Sequence, residues 1–397
     1  HDSITGYLPA LLRALDIPVS SQGLVFSRTS LQTDRITPWS PRALYFNDDV
    51  YVGYVQESDF LEIAAMHPTD GAVFYTLSQH ETARPRFERE GRTCLMCHQS
   101  RAATGGVPGL ILLSSITDRH GYPIMGVQEG GMTDATPIRQ RWGGWYVTGT
   151  HGAGVTGAGA TVLPGHSGNV WSERFRHEIP DKRRFREEID LSAESARLDL
   201  TGKFDPRAYL TAQSDIVALM VFVHQAHVHN LLTTLHEVAA SLPDTIDDPL
   251  ARRSADAIRL SGAVERLLQA MLFADAAPLA GPLRGTTTFA EEFPRVGPRD
   301  AAGRSLRDLD LERRLFRYPF SFLVYSPSVD ALPPLALRTF YRRLDQILRG
   351  GDGDDGLAAY AALDAADRRA IRDILLATKP SFARAVSPIA DHQGLNW

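Results

Sequence analysis

Cysteine is nearly absent from this chain, which has two in 397 residues, three positions apart. One such pair cannot cross-link distant parts of a chain this long, and this excludes a disulfide framework. Long apolar runs are also missing: the longest covers residues 216–223, far short of the roughly 20 residues that a membrane span requires. We therefore expect a soluble protein without a transmembrane segment.

A strong excess of charge of either sign is missing as well. The chain has 42 Lys and Arg against 47 Asp and Glu, a formal net charge of -5. This balance gives no basis for nucleic-acid binding or for binding to an acidic membrane surface. With 43% apolar residues, the composition suits one large or two ordinary globular domains.

The first half of the sequence reads as β-rich and irregular. Alternating apolar and polar residues predict hairpins over residues 43–56, 61–77 and 110–127, each interrupted by a turn-forming cluster. Glycine is dense from residue 126 to 168, which predicts tight loops where the backbone approaches a bulky group closely.

The second half reads as helical. A long helix is predicted from residue 215 to about 241, capped by Ser214, stopped by Pro243 and apolar on every side in its first two turns. Further helices are predicted over 255–274, 335–348 and 365–378, the last with Asp364 as its N-cap. The pattern predicts an α+β fold, with a β-rich region at 1–200 and a helical region at 201–397, either as two domains or as one continuous domain.

The two cysteines belong to the sequence Cys94-Leu95-Met96-Cys97-His98, which has the C-x-x-C-H spacing of covalent haem c attachment. Two thiols at this spacing can add to the two vinyl groups of one porphyrin, and the adjacent histidine can bind the iron. Two cysteines placed at random would meet this pattern with a probability on the order of one in ten thousand. The motif predicts one haem c held by Cys94 and Cys97, with His98 as the iron ligand.

Three other interpretations of the pair stay open. A zinc site would need a distant second pair of ligands, and the chain has no second C-x-x-C. A thioredoxin-like dithiol would follow a strand at a helix N-terminus, where the helix dipole lowers the thiol pKa. Two inert buried cysteines are the third interpretation.

Haem c predicts the compartment of the protein. Thioether attachment in bacteria takes place outside the cytoplasmic membrane, so we expect a periplasmic or extracellular protein. The sequence opens at His1 without a charged and apolar leader, and we expect that a signal peptide has been removed.

Histidines elsewhere in the chain are candidates for the far side of the iron. The long helix carries His224, His227, His229 and His236, and we expect His224 and His229 to act in catalysis. In the glycine-rich stretch, His151 and His166 are candidate distal ligands or ligands of a second metal such as copper. For each histidine, a structural role with an ordinary hydrogen-bond partner is the alternative.

Four stretches resemble blocks of large, poorly characterised bacterial secreted cytochromes with a single C-x-x-C-H. They are RWGGWYVTGTHG at 141–152, SDIVALMVFVHQAHVHN at 214–230, YSPSVDALP at 325–333 and the Thr-Lys-Pro at 378–380. This resemblance carries no settled activity. It points to the following residues: Cys94, Cys97, His98, His151, His166, Asn169, His224 and His229.

These observations predict a mono-haem c oxidoreductase that acts on peroxide, O₂ or a small molecule. Its length is nearly four times the roughly 100 residues of a plain one-haem carrier. The alternatives are an electron-transfer subunit that docks to a redox partner protein, and a haem-based binding protein or sensor for a small gas.

Overall fold

A computed structural model describes residues 1–115, 117, 120–123, 131–151, 200, 202–242, 254–279, 281–350 and 355–387. It has an antiparallel sheet in the N-terminal half and a mainly helical C-terminal half, which confirms the α+β prediction. Within these ranges the strands are β1 Gly23–Val25, β2 Arg42–Phe46, β3 Val50–Tyr54, β4 Phe60–His67, β5 Gly71–Ser78, β6 Phe87–Glu90, β7 Trp145–Tyr146, β8 Thr150–His151 and β9 Leu283–Arg284.

Seven of these strands form one sheet in the order β6-β5-β4-β3-β2-β1-β7, and every neighbouring pair is antiparallel. The two predicted hairpins at 43–56 and 61–77 are β2–β3 and β4–β5. In the first, Asn47 closes the turn, because its Oδ1 accepts hydrogen bonds from the N–H groups of Asp49 and Val50. In the second, Gly71 has a φ of +78°, a conformation that glycine adopts without strain.

Both faces of the sheet are covered. One face packs on the first helix through side chains that include Leu61 and Ile63 of β4. The other face packs on the helical half through Met66 of β4 and Phe74 of β5. The sheet is therefore the middle layer between a small core and a large one.

The predicted third hairpin is not a regular ladder within the described residues. The bridges Leu113 to Gly131 and Thr117 to Pro123 stand alone, and 124–127 lie outside the described part. The backbone here bonds to other partners, since Ser115 N–H donates to the Gly143 carbonyl. The antiparallel bridge from Thr117 to Pro123 is consistent with the predicted pairing, and at Ser115 a contact with a distant segment is made instead.

The α-helices of the described part belong mainly to the second half. They are α1 Leu8–Ala14, α2 Arg92–His98, α3 Arg101–Thr104, α4 Ile216–Ala240, α5 Ala255–Met271, α6 Phe289–Glu292, α7 Pro327–Asp330, α8 Pro334–Arg349, α9 Ala365–Thr378 and α10 Pro380–Ala385. The predicted cap of α9 is confirmed, because Asp364 accepts a hydrogen bond from the Asp367 N–H at 2.7 Å.

The predicted cap of α4 is wrong by one residue. Asp215, not Ser214, is the N-cap, and its carboxylate accepts hydrogen bonds from the N–H groups of Val217 and Ala218. The Ser214 hydroxyl instead joins two strands, accepting from Leu24 N–H and donating to the Tyr146 carbonyl. The predicted stop at Pro243 lies outside the described residues.

Helix α4 runs through the large core, as the sequence predicted, and residues 216–223 are all buried. By length and composition alone this helix could cross a bilayer, with a mean hydropathy of 1.3 over a window that is 83% buried in the fold. The core helix of a folded protein has the same composition, so this observation is weak support for a membrane span.

Candidate functional site

The C-x-x-C-H motif lies on α2, directly after the edge strand β6. Gly91 ends the strand and is the N-cap of the helix. At 100° per residue, Cys94 and Cys97 are about 60° apart around α2, and His98 is about 40° from Cys94. The three side chains that the motif needs therefore leave the helix on one side.

Helix α2 is exposed. It contributes no fully buried side chain, and Met96, between the two cysteines, is 81% exposed. Cys94 is half-buried and Cys97 is exposed, and both are free thiols. The two thiols are thus accessible to a planar group that lies against this side of α2.

The environment of Cys94 disfavours a thiolate. Its burial, followed by the nearby carboxylates of Glu90 and Glu62, raises the pKa of the Cys94 thiol above its usual value. The position expected of a thioredoxin-like dithiol is present here, because the motif follows a strand and Cys94 lies in the first turn of a helix. The attacking thiol of such a dithiol needs a lowered pKa, however, and the acidic surroundings oppose this.

His98 is held in one tautomer by its neighbour in space, Gly109. The His98 Nδ1 atom lies 2.8 Å from the Gly109 carbonyl oxygen, and since a carbonyl only accepts, Nδ1 carries the proton. The Nε2 atom then has a lone pair available for a metal, the arrangement of metal-ligating histidines in general.

Burial keeps this imidazole neutral. It lowers the pKa of His98 below its usual value, and the Arg42 guanidinium lowers it further against the opposing effects of the Gly109 hydrogen bond and the Glu62 carboxylate. The ring also packs on Phe74, with 4.6 Å between ring centroids. A neutral, oriented imidazole is the form that binds iron.

The Gly109 carbonyl is itself fixed from the long helix. Asn230 of α4 accepts from the Leu110 N–H and donates to the Leu110 carbonyl, both at 2.8 Å. A Cβ atom at Gly109 would lie only 2.3 Å from Asn230 Oδ1, so this close approach requires glycine. Asn230 and Gly109 are thus positioning residues for His98.

Sequence reasoning missed this pair. The available signal was a polar asparagine seven residues after the end of a buried apolar run, and an unpaired amide is costly in such a place. This signal does not identify the backbone groups to which the amide binds.

The sheet beside α2 carries charged side chains on the same face as Phe74. Glu62 pairs across strands with Thr76, and Phe74 with Glu90. Thr76 Oγ1 donates to Glu90 Oε1 at 3.0 Å, and Glu62 forms an ion pair with Arg42. The face of the sheet next to the motif is therefore half-buried, and its charged side chains are mainly carboxylates.

His224 lies deep in the core, with both nitrogens occupied. Nδ1 is 2.8 Å from Asp134 Oδ2 and Nε2 is 2.8 Å from Ser321 Oγ, a serine–histidine–aspartate chain. Ser321 is fully buried, and its Oγ also accepts from Leu323 N–H as the N-cap of the 3₁₀ turn Phe322–Tyr325. A nucleophile must be reachable by substrate, so this serine–histidine–aspartate arrangement is better explained as a buried structural network.

The other inner histidines of α4 bind backbone carbonyls. His229 Nε2 is 2.8 Å from the Asp48 carbonyl and His236 Nε2 is 2.8 Å from the Ser328 carbonyl. Burial lowers the pKa of His229 to about 4. His229 thus bonds to a backbone carbonyl through Nε2, whereas His98 does so through Nδ1. Catalysis by His224 and His229 stays a prediction.

Of the two histidines in the glycine-rich stretch, the structure describes His151 but not His166. His151 is fully buried on β8, opposite Leu283 of β9, and burial together with Arg141 lowers its pKa to about 4. His166 and Asn169 lie outside the described residues. Among the residues that the structure does describe, no group of three or more His, Cys, Asp and Glu side chains is placed to hold a metal ion.

Comparisons with known proteins give no match: no family model, no curated protein and no solved structure is similar to this chain. The resemblance to secreted single-motif cytochromes therefore stays a prediction, and so does a second metal such as copper. The candidate site stands on the geometry of α2, Gly109 and Asn230 alone.

Proposed function

We propose that this protein is a c-type haem protein, with one haem bound covalently by Cys94 and Cys97 and ligated by His98. The observation that carries the proposal is the His98 Nδ1 to Gly109 hydrogen bond, which frees Nε2 beside two accessible thiols. Those thiols and that imidazole leave α2 on one side, as attachment to a single porphyrin requires.

Each residue of the motif has a definite role. Cys94 and Cys97 would hold the haem through two thioether bonds, each formed by addition of an S–H group across one vinyl C=C bond, sulfur to one carbon and hydrogen to the other. His98 Nε2 would ligate the iron, and Gly109 and Asn230 hold the imidazole in place. Haem c, when bound, supplies a one-electron Fe(III)/Fe(II) couple.

Zinc at the motif fits less well. The described residues offer no third and fourth ligand grouped with the two thiols, and a structural zinc site needs four. Covalent attachment also implies maturation outside the cytoplasmic membrane, so the proposal includes a periplasmic or extracellular location.

For the reaction we favour an oxidoreductase that uses peroxide, O₂ or a small molecule. The support is the size of the chain, 397 residues, because a carrier needs only a small domain. A second candidate, an electron-transfer subunit, has one observation of its own. The exposure of α2 and of Met96 would leave the haem edge near the surface, where a partner protein can reach it.

The first test is the pyridine haemochrome spectrum of protein matured in a bacterial periplasm. We expect a c-type spectrum and pigment that stays with the polypeptide in acid acetone. The variant with Cys94→Ala and Cys97→Ala should lose covalent pigment, while Met96→Ala on the same helix should keep it. Colourless wild-type protein, or pigment extracted by acid acetone, would refute the proposal.

Ligand binding at iron then separates the two candidates. An oxidoreductase should have a haem whose spectrum responds to carbon monoxide or cyanide, and it should consume peroxide or O₂ with a simple reductant. A six-coordinate haem that ignores both ligands would assign the protein to electron transfer.

A further inference from the structure

A cavity of about 190 Å³, partly open to solvent, lies between the helical half and the segment around Asp134 and Arg141. It is lined by α4, the segment that follows α5, and the chain around residues 313–319 and 360–363. Its walls are largely apolar and include Leu272, Phe273, Leu315, Phe316 and Leu363. A largely apolar cavity with a few polar groups is the usual form of a small-molecule site.

The main polar group of this cavity is the guanidinium of Arg141, a side chain in a residue only 2% exposed. Its Nε donates to the Thr136 carbonyl and its Nη2 to the Asp134 carbonyl, both at 2.7 Å. Its Nη1 has only the Met220 thioether sulfur, at 3.1 Å. Sulfur is a weak acceptor, so this end of the guanidinium has capacity to spare.

The positive charge of Arg141 has no carboxylate in contact among the described residues. The nearest acid, Asp134, also lines the cavity, and its buried carboxylate attracts the Arg141 charge. Its Oδ2 bonds to His224, however, and its hydrogen bond to Arg141 is made by the backbone carbonyl. An anion that reaches Nη1 would add the direct charge-assisted hydrogen bond that the Asp134 carboxylate does not make.

Two further arginines line the cavity without changing this conclusion. Arg313 binds Asp310 at 3.2 Å, and Arg314 binds Asp367 Oδ1 at 2.8 Å. Each is thus already paired with a carboxylate, so Arg141 is the arginine of this cavity with a hydrogen-bonding end left for a ligand.

We infer that this cavity binds a small apolar carboxylic acid in its anionic form. The carboxylate accepts hydrogen bonds from Arg141 Nη1, where the thioether of Met220 now lies, and the apolar part packs between Phe273 and Phe316. The site is separate from the proposed haem, since none of its lining residues belongs to the C-x-x-C-H motif.

The test uses benzoate, with benzamide as its neutral counterpart of nearly equal shape. Calorimetric titration of the full haem-loaded protein should show benzoate binding at least tenfold more tightly than benzamide, and benzoate should raise the melting temperature. The haem spectrum is recorded in the same titration, because benzoate on the iron would change it and benzoate in the cavity would not.

Ala277→Leu fills the cavity from its wall and should abolish benzoate binding, while Ala302→Leu, on an exposed loop, should leave it intact. Arg141→Lys keeps the charge but loses the planar fork, and it should weaken benzoate at least tenfold if circular dichroism shows that it folds. Equal binding of benzoate and benzamide, no binding of benzoate in the millimolar range, or binding that survives in A277L would each overturn the inference.

Discussion

His98 owes its orientation to two residues that are distant from it in sequence. Gly109 accepts the His98 Nδ1 proton, and Asn230 clamps the peptide groups on either side of Leu110. The imidazole of a metal site is commonly fixed in this way by a group that does not touch the metal.

If the proposed haem c is bound, removal of the Asn230 clamp should weaken the bond of His98 to iron without releasing the haem. We expect Asn230→Ala to lose about 2 kcal/mol of unfolding free energy, because the Leu110 N–H and C=O lose their partners. The thioether bonds should hold the pigment, while acid should displace His98 from the iron at a higher pH than in the wild type. Urea denaturation and an acid titration of the haem spectrum measure the two effects.

Thr234→Ala, one turn further along α4, is the matched control. The Thr234 hydroxyl donates only within its own helix, to the Asn230 carbonyl, so both readouts should stay near wild type. Wild-type behaviour of N230A in the acid titration would show that Asn230 does not position His98.

The contact between Gly109 and Asn230 gives a second prediction at this scale. Gly109→Ala should destabilise the fold by about 1–3 kcal/mol, because its Cβ atom would overlap Asn230 Oδ1. In the double variant with Asn230→Ala the overlap disappears, and the two losses should be less than additive by urea denaturation. Gly131→Ala, whose Cβ meets open space, is the control; simple additivity in the double variant would contradict the overlap.

At the scale of the element, α4 is anchored at its first turn by Asp215. The carboxylate is fully buried, and besides capping α4 it accepts from the Thr286 and Thr287 N–H groups and from the Thr287 hydroxyl. One side chain thus joins the helix to the segment after β9.

Asp215→Ala should cost about 3–5 kcal/mol of unfolding free energy, because several buried N–H donors lose their acceptor together. Asp364→Ala removes the cap of α9, where an exposed carboxylate accepts from the Asp367 N–H, and it should cost about 1 kcal/mol. Chemical denaturation compares the two. Equal losses would mean that burial and the extra donors add nothing at α4.

Helix α4 also makes the protein sensitive to acid. The pKa of His229 is about 4 in the fold against 6.5 for the free side chain, so below pH 6.5 the unfolded chain binds a proton that the folded chain does not. Above pH 6.5 the neutral imidazole makes its full contribution to the unfolding free energy, and this contribution is lost as the pH falls towards 4.

Between pH 6.5 and 5 this loss amounts to about 2 kcal/mol for His229 alone. His229→Gln keeps a donor for the Asp48 carbonyl but does not titrate, and its unfolding free energy should fall less over this interval than that of the wild type. His80→Gln, on the surface, should keep the wild-type dependence. A wild-type slope in H229Q would contradict the assignment.

The sequence predicted the elements whose residues interact with near neighbours in the chain better than the contacts between residues that are distant in sequence. The hairpin β4–β5 and the capped helix α9 were predictable, since their residues are neighbours in the chain. The roles of the histidines were not, because Asp134 and Ser321 lie 90 and 97 positions from His224. The motif on α2 was recognisable from its spacing, but its orientation by Gly109 and Asn230 required the fold.

At the scale of the whole molecule, the two halves share one core. The large cluster contains Phe74 and Trp145 of the sheet together with residues of α4, α5 and α8. The turn between β2 and β3 also reaches the second half, where Asp48 binds the buried Arg307 at 2.8 and 2.9 Å. Such sharing favours unfolding as one cooperative unit.

We therefore expect a single unfolding transition. Tryptophan fluorescence, which includes Trp142 and Trp145 beside the sheet, should change at the same urea concentration as the far-UV circular dichroism of the helices. Two separated transitions would show that the β-rich and helical halves are independent domains.

Helix α4 is continuous from the cavity to the residue that positions His98. Met220, in contact with Arg141 at the cavity, and Asn230, which clamps the loop of His98, are ten residues apart on an unbroken helix, or about 15 Å. A ligand that displaces Met220 would therefore act about 15 Å from Asn230, the residue that positions His98, on the same helix. This separation is the reason why benzoate in the cavity should leave the spectrum of the proposed haem unchanged.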